Sequence, residues 1–94
     1  MMYAYHDQYQ KPEDVLVQKL EAEAVLLNLS TELYYGLDEV GYRMYQFITT
    51  ASSLENAYLA MVKEYEVDPD QLRQDFEKLL ADLIASDLIV KVDA

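Results

Sequence analysis

Cysteine is absent from this chain of 94 residues, and histidine occurs once, at His6. Without cysteine the chain can form neither a disulfide nor a thiolate site, and a single histidine supplies no ligand set for zinc. A hydrolase or transferase needs a nucleophile beside a base, and His6 lies in a polar N-terminal stretch. We therefore predict a protein that is not an enzyme and that needs no metal or cofactor.

Glycine is scarce as well, with only two residues, Gly36 and Gly41. Neither lies in a Walker or dinucleotide-binding pattern, so nothing in the sequence indicates a phosphate-binding loop. The acidic run that starts at Asp68 does not fit an EF-hand calcium loop, because Arg73 stands where glycine is required and Leu79 where a bidentate glutamate is required. Nucleotide and calcium binding are therefore not expected.

Basic residues are few: seven, against eighteen acidic ones, which gives a formal net charge of −11. Such a charge repels nucleic-acid phosphates and anionic lipids, so a charged partner is expected to be basic. No apolar run is long enough to cross a bilayer, and the first eight residues lack the basic and apolar regions of a signal peptide. We predict a cytoplasmic protein that binds neither nucleic acid nor membrane.

What is present is a hydrophobic content of 52%, enough for the core of one domain. Residues 1–14 show no period of 2 or 3.6, and we predict a flexible N-terminal tail there and a domain over residues 15–94. Three strands are predicted next, over residues 15–20, 24–29 and 33–37. Short polar links join them, so they should pair as antiparallel hairpins.

After Leu37 the apolar period becomes that of helices. Three helices are predicted, the third ending near residue 86, and residues 88–92 are predicted to form either a short terminal strand or an apolar strap that returns to the core. Their N-terminal signals are Asp38, the capping box of Ser52 with Glu55, and Asp68 followed by Pro69. The predicted fold is α+β, a three-stranded antiparallel sheet followed by three helices, and it is winged-helix-like.

Several stretches of the chain resemble PqqD-like proteins. They are residues 24–29, residues 34–41 followed by the aromatic Tyr45, residues 63–68, and residues 83–89. The similarity extends over about residues 15–92. This family includes the chaperone of pyrroloquinoline quinone biosynthesis and the leader-binding proteins of lasso-peptide pathways. The chain departs from it at Asp87, where glycine is frequent, and at Tyr45, where tryptophan is common.

The resemblance implies a recognition element for ribosomally synthesised and post-translationally modified peptides (RiPPs). Such a domain is a non-catalytic adaptor that binds the leader of a precursor peptide and presents it to a modifying enzyme, here of unknown type. The residues agree, because an edge strand offers unpaired N–H and C=O groups to an added strand. Helix three carries one apolar row of Leu72, Phe76, Leu79 and Leu83 and a second, adjacent row of Leu80 and Ile84, and this second row would form the other wall of the groove. The predicted peptide-binding residues are Leu33, Tyr34, Tyr35, Gly36 and Leu37 of strand three and Arg73, Glu77, Leu80 and Ile84 of helix three.

A winged-helix regulator of DNA or of another protein is the alternative that the fold leaves open. A recognition helix needs basic side chains to position it on phosphates. Helix three instead carries Asp70, Asp75, Glu77 and Asp82. Its acidity therefore favours the peptide-binding hypothesis over the DNA-binding one.

Overall fold

Three antiparallel strands followed by three helices make up most of the protein, as the hydrophobic pattern predicts. A computed structural model describes residues 3–92. The elements in chain order are β1 (Tyr9–Gln10), β2 (Val15–Leu20), β3 (Glu23–Asn28), β4 (Leu33–Leu37), α1 (Glu39–Thr50), α2 (Leu54–Glu64), α3 (Pro69–Ala85) and β5 (Val90–Lys91). The main sheet has the order β2-β3-β4, and β1 pairs with β5 in a second, two-stranded sheet. Strand β4 is therefore an edge strand, as predicted.

Two of the three helices begin at the predicted caps. The Asp38 carboxylate accepts a hydrogen bond of 2.7 Å from the amide of Gly41, and Asp68 caps α3 with Pro69 in its first turn. A Cβ at Gly41 would lie 3.1 Å from the Asp38 Oδ1, so the glycine permits the close approach of this cap. No helix within residues 3–92 is long and apolar enough to cross a membrane.

The predicted cap of α2 was wrong by one residue. Ser53, not Ser52, is the N-cap, and its hydroxyl accepts from the Asn56 amide at 3.1 Å. Ser52 Oγ instead accepts from the Asn56 side chain at 2.7 Å. Both serines lie within reach of the first turn, and only the backbone geometry decides which of them caps the helix.

The core lies between the inner face of the main sheet and the helices. Its largest fully buried side chains come from every layer: Val15, Leu26, Ile48, Leu54, Met61, Phe76, Leu80, Leu83 and Leu88. After α3 the chain turns back through Asp87, which has a φ of 55°. Aspartate tolerates this left-handed conformation better than most non-glycine residues, so it can stand where the proteins that this chain resembles frequently have glycine.

The N-terminal segment, predicted as a tail, contains strand β1 and packs against the helices. Tyr3, Tyr5 and Tyr9 lie against the core cluster. The backbone carbonyls of Tyr5 and Asp7 accept hydrogen bonds from the first two amides of α2 at 2.9 and 2.8 Å. These carbonyls satisfy helix donors that have no partner within the helix. The outermost residues of the two predicted segments, 1–2 and 93–94, lie outside the described residues.

Tyr45 of α1 is a buried phenol whose hydroxyl donates to the carbonyl of Leu88 at 3.0 Å. Burial raises the pKa of Tyr45 well above its ordinary value of 10. The folded protein therefore keeps this phenol protonated at a pH at which the unfolded chain ionises it. The resulting stability is fully present below the unfolded pKa of about 10 and is lost as the pH rises toward the folded value.

We expect the free energy of unfolding to fall as the pH rises above about 10, and to fall less steeply in Tyr45→Phe. Near neutral pH, Tyr45→Phe should be less stable by about 1–3 kcal/mol, because the buried Leu88 carbonyl loses its donor. Urea unfolding followed by circular dichroism at a series of pH values measures both effects. Equal slopes in the two proteins would show that Tyr45 is not the titrating group.

Candidate functional site

The free edge of β4 is formed by alternate backbone groups, and the register identifies them. The Leu29 amide donates to the Asp14 carbonyl at 2.8 Å, which makes Val15 and Asn28 a non-hydrogen-bonded pair of the β2–β3 ladder. Asn28 therefore directs its backbone groups toward β4, and its carbonyl accepts from the Glu32 amide at 2.8 Å.

The same alternation continues across β4. Asn28 pairs with Leu33 and Leu26 pairs with Tyr35, so these β4 residues turn their backbone groups toward β3. Tyr34 and Gly36 lie between them and direct their N–H and C=O groups away from the sheet. The edge beside these two residues can therefore accept one more strand.

The side chains of β4 alternate between the two faces of the sheet, as predicted. Leu37 is buried and Tyr35 half-buried on the inner face, whereas Tyr34 is 76% exposed on the outer face. Leu33 shares the inner side with Tyr35 but lies at the strand end and is exposed. The residues predicted on this strand thus differ in how they could contact a peptide. Tyr34 and Gly36 present backbone groups, whereas Tyr35 presents its side chain.

An open cleft of about 420 Å³ lies beside Tyr35, between the end of β4, the first turns of α1 and one side of α3. Apolar side chains form part of its lining, and charged groups form the rest. The lining residues are Tyr35, Asp38, Val40, Gly41, Met44, Asp75, Lys78, Leu79 and Asp82. With three aspartates against one lysine, the cleft carries an excess of negative charge.

Tyr35 and Asp82 connect the sheet to α3 at this cleft. The Tyr35 hydroxyl donates to the Asp82 carboxylate at 2.9 Å. Burial, and next the hydrogen bond to Asp82, raise the pKa of Tyr35. The phenol therefore remains a neutral donor at physiological pH and fixes the spacing between strand and helix.

The α3 residues predicted to bind the peptide, Arg73, Glu77, Leu80 and Ile84, are not among those that line this cleft. Leu80 is fully buried in the core. Arg73 and Glu77 contact Tyr5, whose hydroxyl donates to the Glu77 carboxylate at 2.7 Å and whose ring lies 5.1 Å from the Arg73 guanidinium. Ile84 follows Asp75 by nine residues, about two and a half turns, so the two side chains point to opposite sides of α3.

Sequence reasoning missed the α3 side chains that do line the cleft: Asp75, Lys78, Leu79 and Asp82. They follow one another at spacings of three, one and three residues, which places them on one side of the helix. This helical spacing can be read in the sequence. The residues form a mixed row of charged and apolar side chains beside the core stripe, however, and not a second apolar row. Among residues 3–92, no group of three or more acidic or histidine side chains is arranged to hold a metal ion.

Comparison with known proteins identifies the family of the chain. The family model described as coenzyme PQQ synthesis protein D (PqqD) matches residues 23–89. The chain belongs to the PqqD family. In this PqqD-family protein the matched residues include the edge strand β4, the cleft and all three helices, so the family match and the candidate site coincide. No curated protein sequence matches the chain.

Two solved structures share the fold of this PqqD-family protein. One is TbiB1 in complex with the TbiA(beta) leader peptide, at 30% identity and a TM-score of 0.76, over 85% of this chain and 93% of that one. The other is lasso peptide synthetase B1 complexed with the leader peptide, at 18% identity and a TM-score of 0.75, over 88% of this chain and 98% of that one. At the lower identity the second structure is a likeness of fold.

Proposed function

We propose that this protein is a RiPP recognition element, a non-catalytic cytoplasmic adaptor that binds the leader of a precursor peptide and presents it to a modifying enzyme. The observation that carries the proposal is the free edge of β4 at Tyr34 and Gly36, with an open cleft beside the same strand. Membership of the PqqD family and the leader complex of TbiB1 support it.

The leader would extend the main sheet by one strand. Tyr34 and Gly36 each offer one N–H and one C=O, so about four hydrogen bonds can form. At roughly 0.5–1.5 kcal/mol net for each bond, these give about 4 kcal/mol, which corresponds to millimolar affinity. Micromolar binding therefore requires leader side chains in the cleft, where a buried apolar side chain contributes about 1.5–3 kcal/mol.

The cleft also limits which leaders can bind. Its apolar lining residues include Val40, Met44 and Leu79, and Asp38, Asp75 and Asp82 line the same cleft. A leader that places an apolar anchor beside lysine or arginine matches both features. A leader rich in acidic residues would meet repulsion from the cleft and from the net charge of −11.

Titration of the purified protein with the leader of its precursor tests the function. We expect binding that a chelator does not change, with no change in the mass of the peptide, because the domain would supply no chemistry. Raising the salt concentration from low to high should weaken binding by about threefold or more, since the attraction between charges is screened. Duplex DNA at moderate salt should not bind.

Each contrary result has a separate meaning. Failure of the leader to bind at any salt concentration would overturn the proposed function. Binding that is independent of salt would retain the function but reduce the aspartates of the cleft to a role in solubility. A covalent change to the peptide in the presence of this chain alone would show that the protein is an enzyme.

A further inference from the structure

The outer face of the main sheet carries an apolar surface that no helix or strand within residues 3–92 covers. We call it the outer patch, and it consists of Leu16, Leu20, Val25, Leu27 and Tyr34. The register aligns Leu16, Leu27 and Tyr34 side by side across the three strands. Leu16 is 51% exposed, so this row is accessible from solvent.

This surface is unusual for a sheet with one solvated face. Outer positions of an antiparallel sheet are commonly polar, but here Gln18 and Glu23 are the polar members on β2 and β3. Contiguous apolar surface on a small protein commonly marks an interaction site. The exposed acidic residues Glu21, Glu23 and Glu32 lie in and beside the hairpin turns at the two ends of the sheet.

Gly36 leaves a flat position within the same face. It has no positive φ, and a Cβ built on it would meet no atom within 4 Å. Neither the backbone conformation nor packing among the residues that the structure describes therefore requires glycine, although glycine weakens a strand. Its neighbour across the ladder is Val25 of the outer patch. The missing side chain leaves Val25 open to a group from outside the chain.

We propose that the outer patch docks the enzyme that receives the leader, through an apolar surface with lysine or arginine at its rim. The inference rests on the proposed function, since an adaptor without chemistry of its own must contact a second protein. Charge selects this occupant over a second copy of the chain. Two copies would bring together like charges at Glu21, Glu23 and Glu32, each on a chain of net charge −11, whereas a basic rim is attracted.

The proposed docking surface and the leader site meet on β4. The backbone groups of Tyr34 and Gly36 face the leader, and the side chain of Tyr34 belongs to the outer patch. Side chains of an added strand alternate between the faces, so half of those on the bound leader lie on the outer face beside Tyr34. The enzyme would then contact the domain and the leader together. Bound leader would raise the affinity of the domain for the enzyme, and bound enzyme would raise its affinity for the leader.

The test measures binding of the purified modifying enzyme encoded beside the precursor, with and without leader. We expect Leu16→Lys to weaken enzyme binding at least tenfold and to leave leader binding unchanged, because β2 is the strand farther from the leader. Leu59→Lys is the matched control, since Leu59 is 47% exposed on α2, outside both surfaces. It should change enzyme binding less than twofold. Leader should also increase the affinity of the wild-type protein for the enzyme.

Other results would overturn the proposal. One is unchanged enzyme binding in folded Leu16→Lys, and another is equal weakening by Leu59→Lys. A wild-type dimer in sedimentation that Leu16→Lys dissociates would assign the patch to a second copy. If Leu16→Lys does not fold, Leu20→Lys at the end of β2 provides the same measurement. Absence of leader binding in the wild-type protein would instead refute the proposed function.

Discussion

Val40→Glu is expected to lower the affinity for the leader by tenfold to a hundredfold. Val40 lies in the first turn of α1, and its side chain lines the cleft. Glutamate there removes apolar contact worth about 1.5–3 kcal/mol and adds a fourth carboxylate to the cleft. Helix α1 should remain folded, because an acidic side chain near a helix N-terminus interacts favourably with the helix dipole. Calorimetric titration with the leader measures the change.

The same substitution at two other helix positions, Val62 and Ile84, shows whether the loss of binding is specific to the cleft. Val40, Ile84 and Val62 are 40%, 38% and 37% exposed, and all three lie on helices. Val62→Glu on α2 controls for the substitution itself and should bind the leader normally. Ile84→Glu tests the side of α3 that the sequence predicted. A large loss in Ile84→Glu with normal binding in Val40→Glu would move the site to that side.

The two sides of α3 show which features of the site can be predicted from the sequence and which cannot. The apolar spacing of α3 correctly predicts a helix with a wide apolar surface, but the structure buries Leu80 of the predicted peptide-binding row together with Leu72, Phe76, Leu79 and Leu83. Charged rows flank this surface on both sides. Which row faces β4 depends on how the helix is placed on the sheet, and helical periodicity contains no information about that placement. The sequence therefore predicts that α3 forms a wall of the site, whereas the residues of α3 that line the cleft are seen only in the structure.

The main sheet was predicted more closely because its signals are local. The three predicted strands match β2, β3 and β4 to within one residue at each end. Alternating apolar residues and short polar links determine strand, face and hairpin together. The position of β4 at the sheet edge follows from the chain order of two successive hairpins. The backbone half of the candidate site therefore follows from the amino-acid sequence alone.

The N-terminal segment was the least predictable part. Strand β1 has two residues and pairs with β5 at the other end of the chain, through Tyr9 with Lys91 and Gln10 with Val90. Two residues cannot show a period, and the pairing depends on where the fold places both termini. Tyr5 packs with Tyr58 and Phe76 at ring-centroid distances of 6.5 and 6.3 Å. The contact joins residues far apart in sequence, so no local pattern indicates it.

Asn28 is the buried polar side chain that fixes the start of β4, and we expect Asn28→Ala to destabilise the protein by about 2–4 kcal/mol. It is 2% exposed. Its Oδ1 accepts from the amides of Ser30 and Thr31 at 2.9 and 3.1 Å, and its Nδ2 donates to the Asp87 carbonyl at 3.0 Å. Alanine would leave these three backbone groups without their side-chain partner, and two of them shape the turn that leads into β4.

Urea unfolding measures how much stability Asn28→Ala loses, and Asn56→Ala is the control. The Asn56 side chain also makes a hydrogen bond, at 2.7 Å to Ser52, but it is exposed. Because water can replace this partner, the free energy of unfolding of Asn56→Ala should change by no more than about 0.5 kcal/mol. A loss below about 1 kcal/mol in Asn28→Ala would mean that water satisfies the turn. The larger loss of stability would show that the free backbone groups of Tyr34 and Gly36 depend on Asn28, which joins the β3–β4 turn to the end of α3. Leader binding should then also weaken in Asn28→Ala.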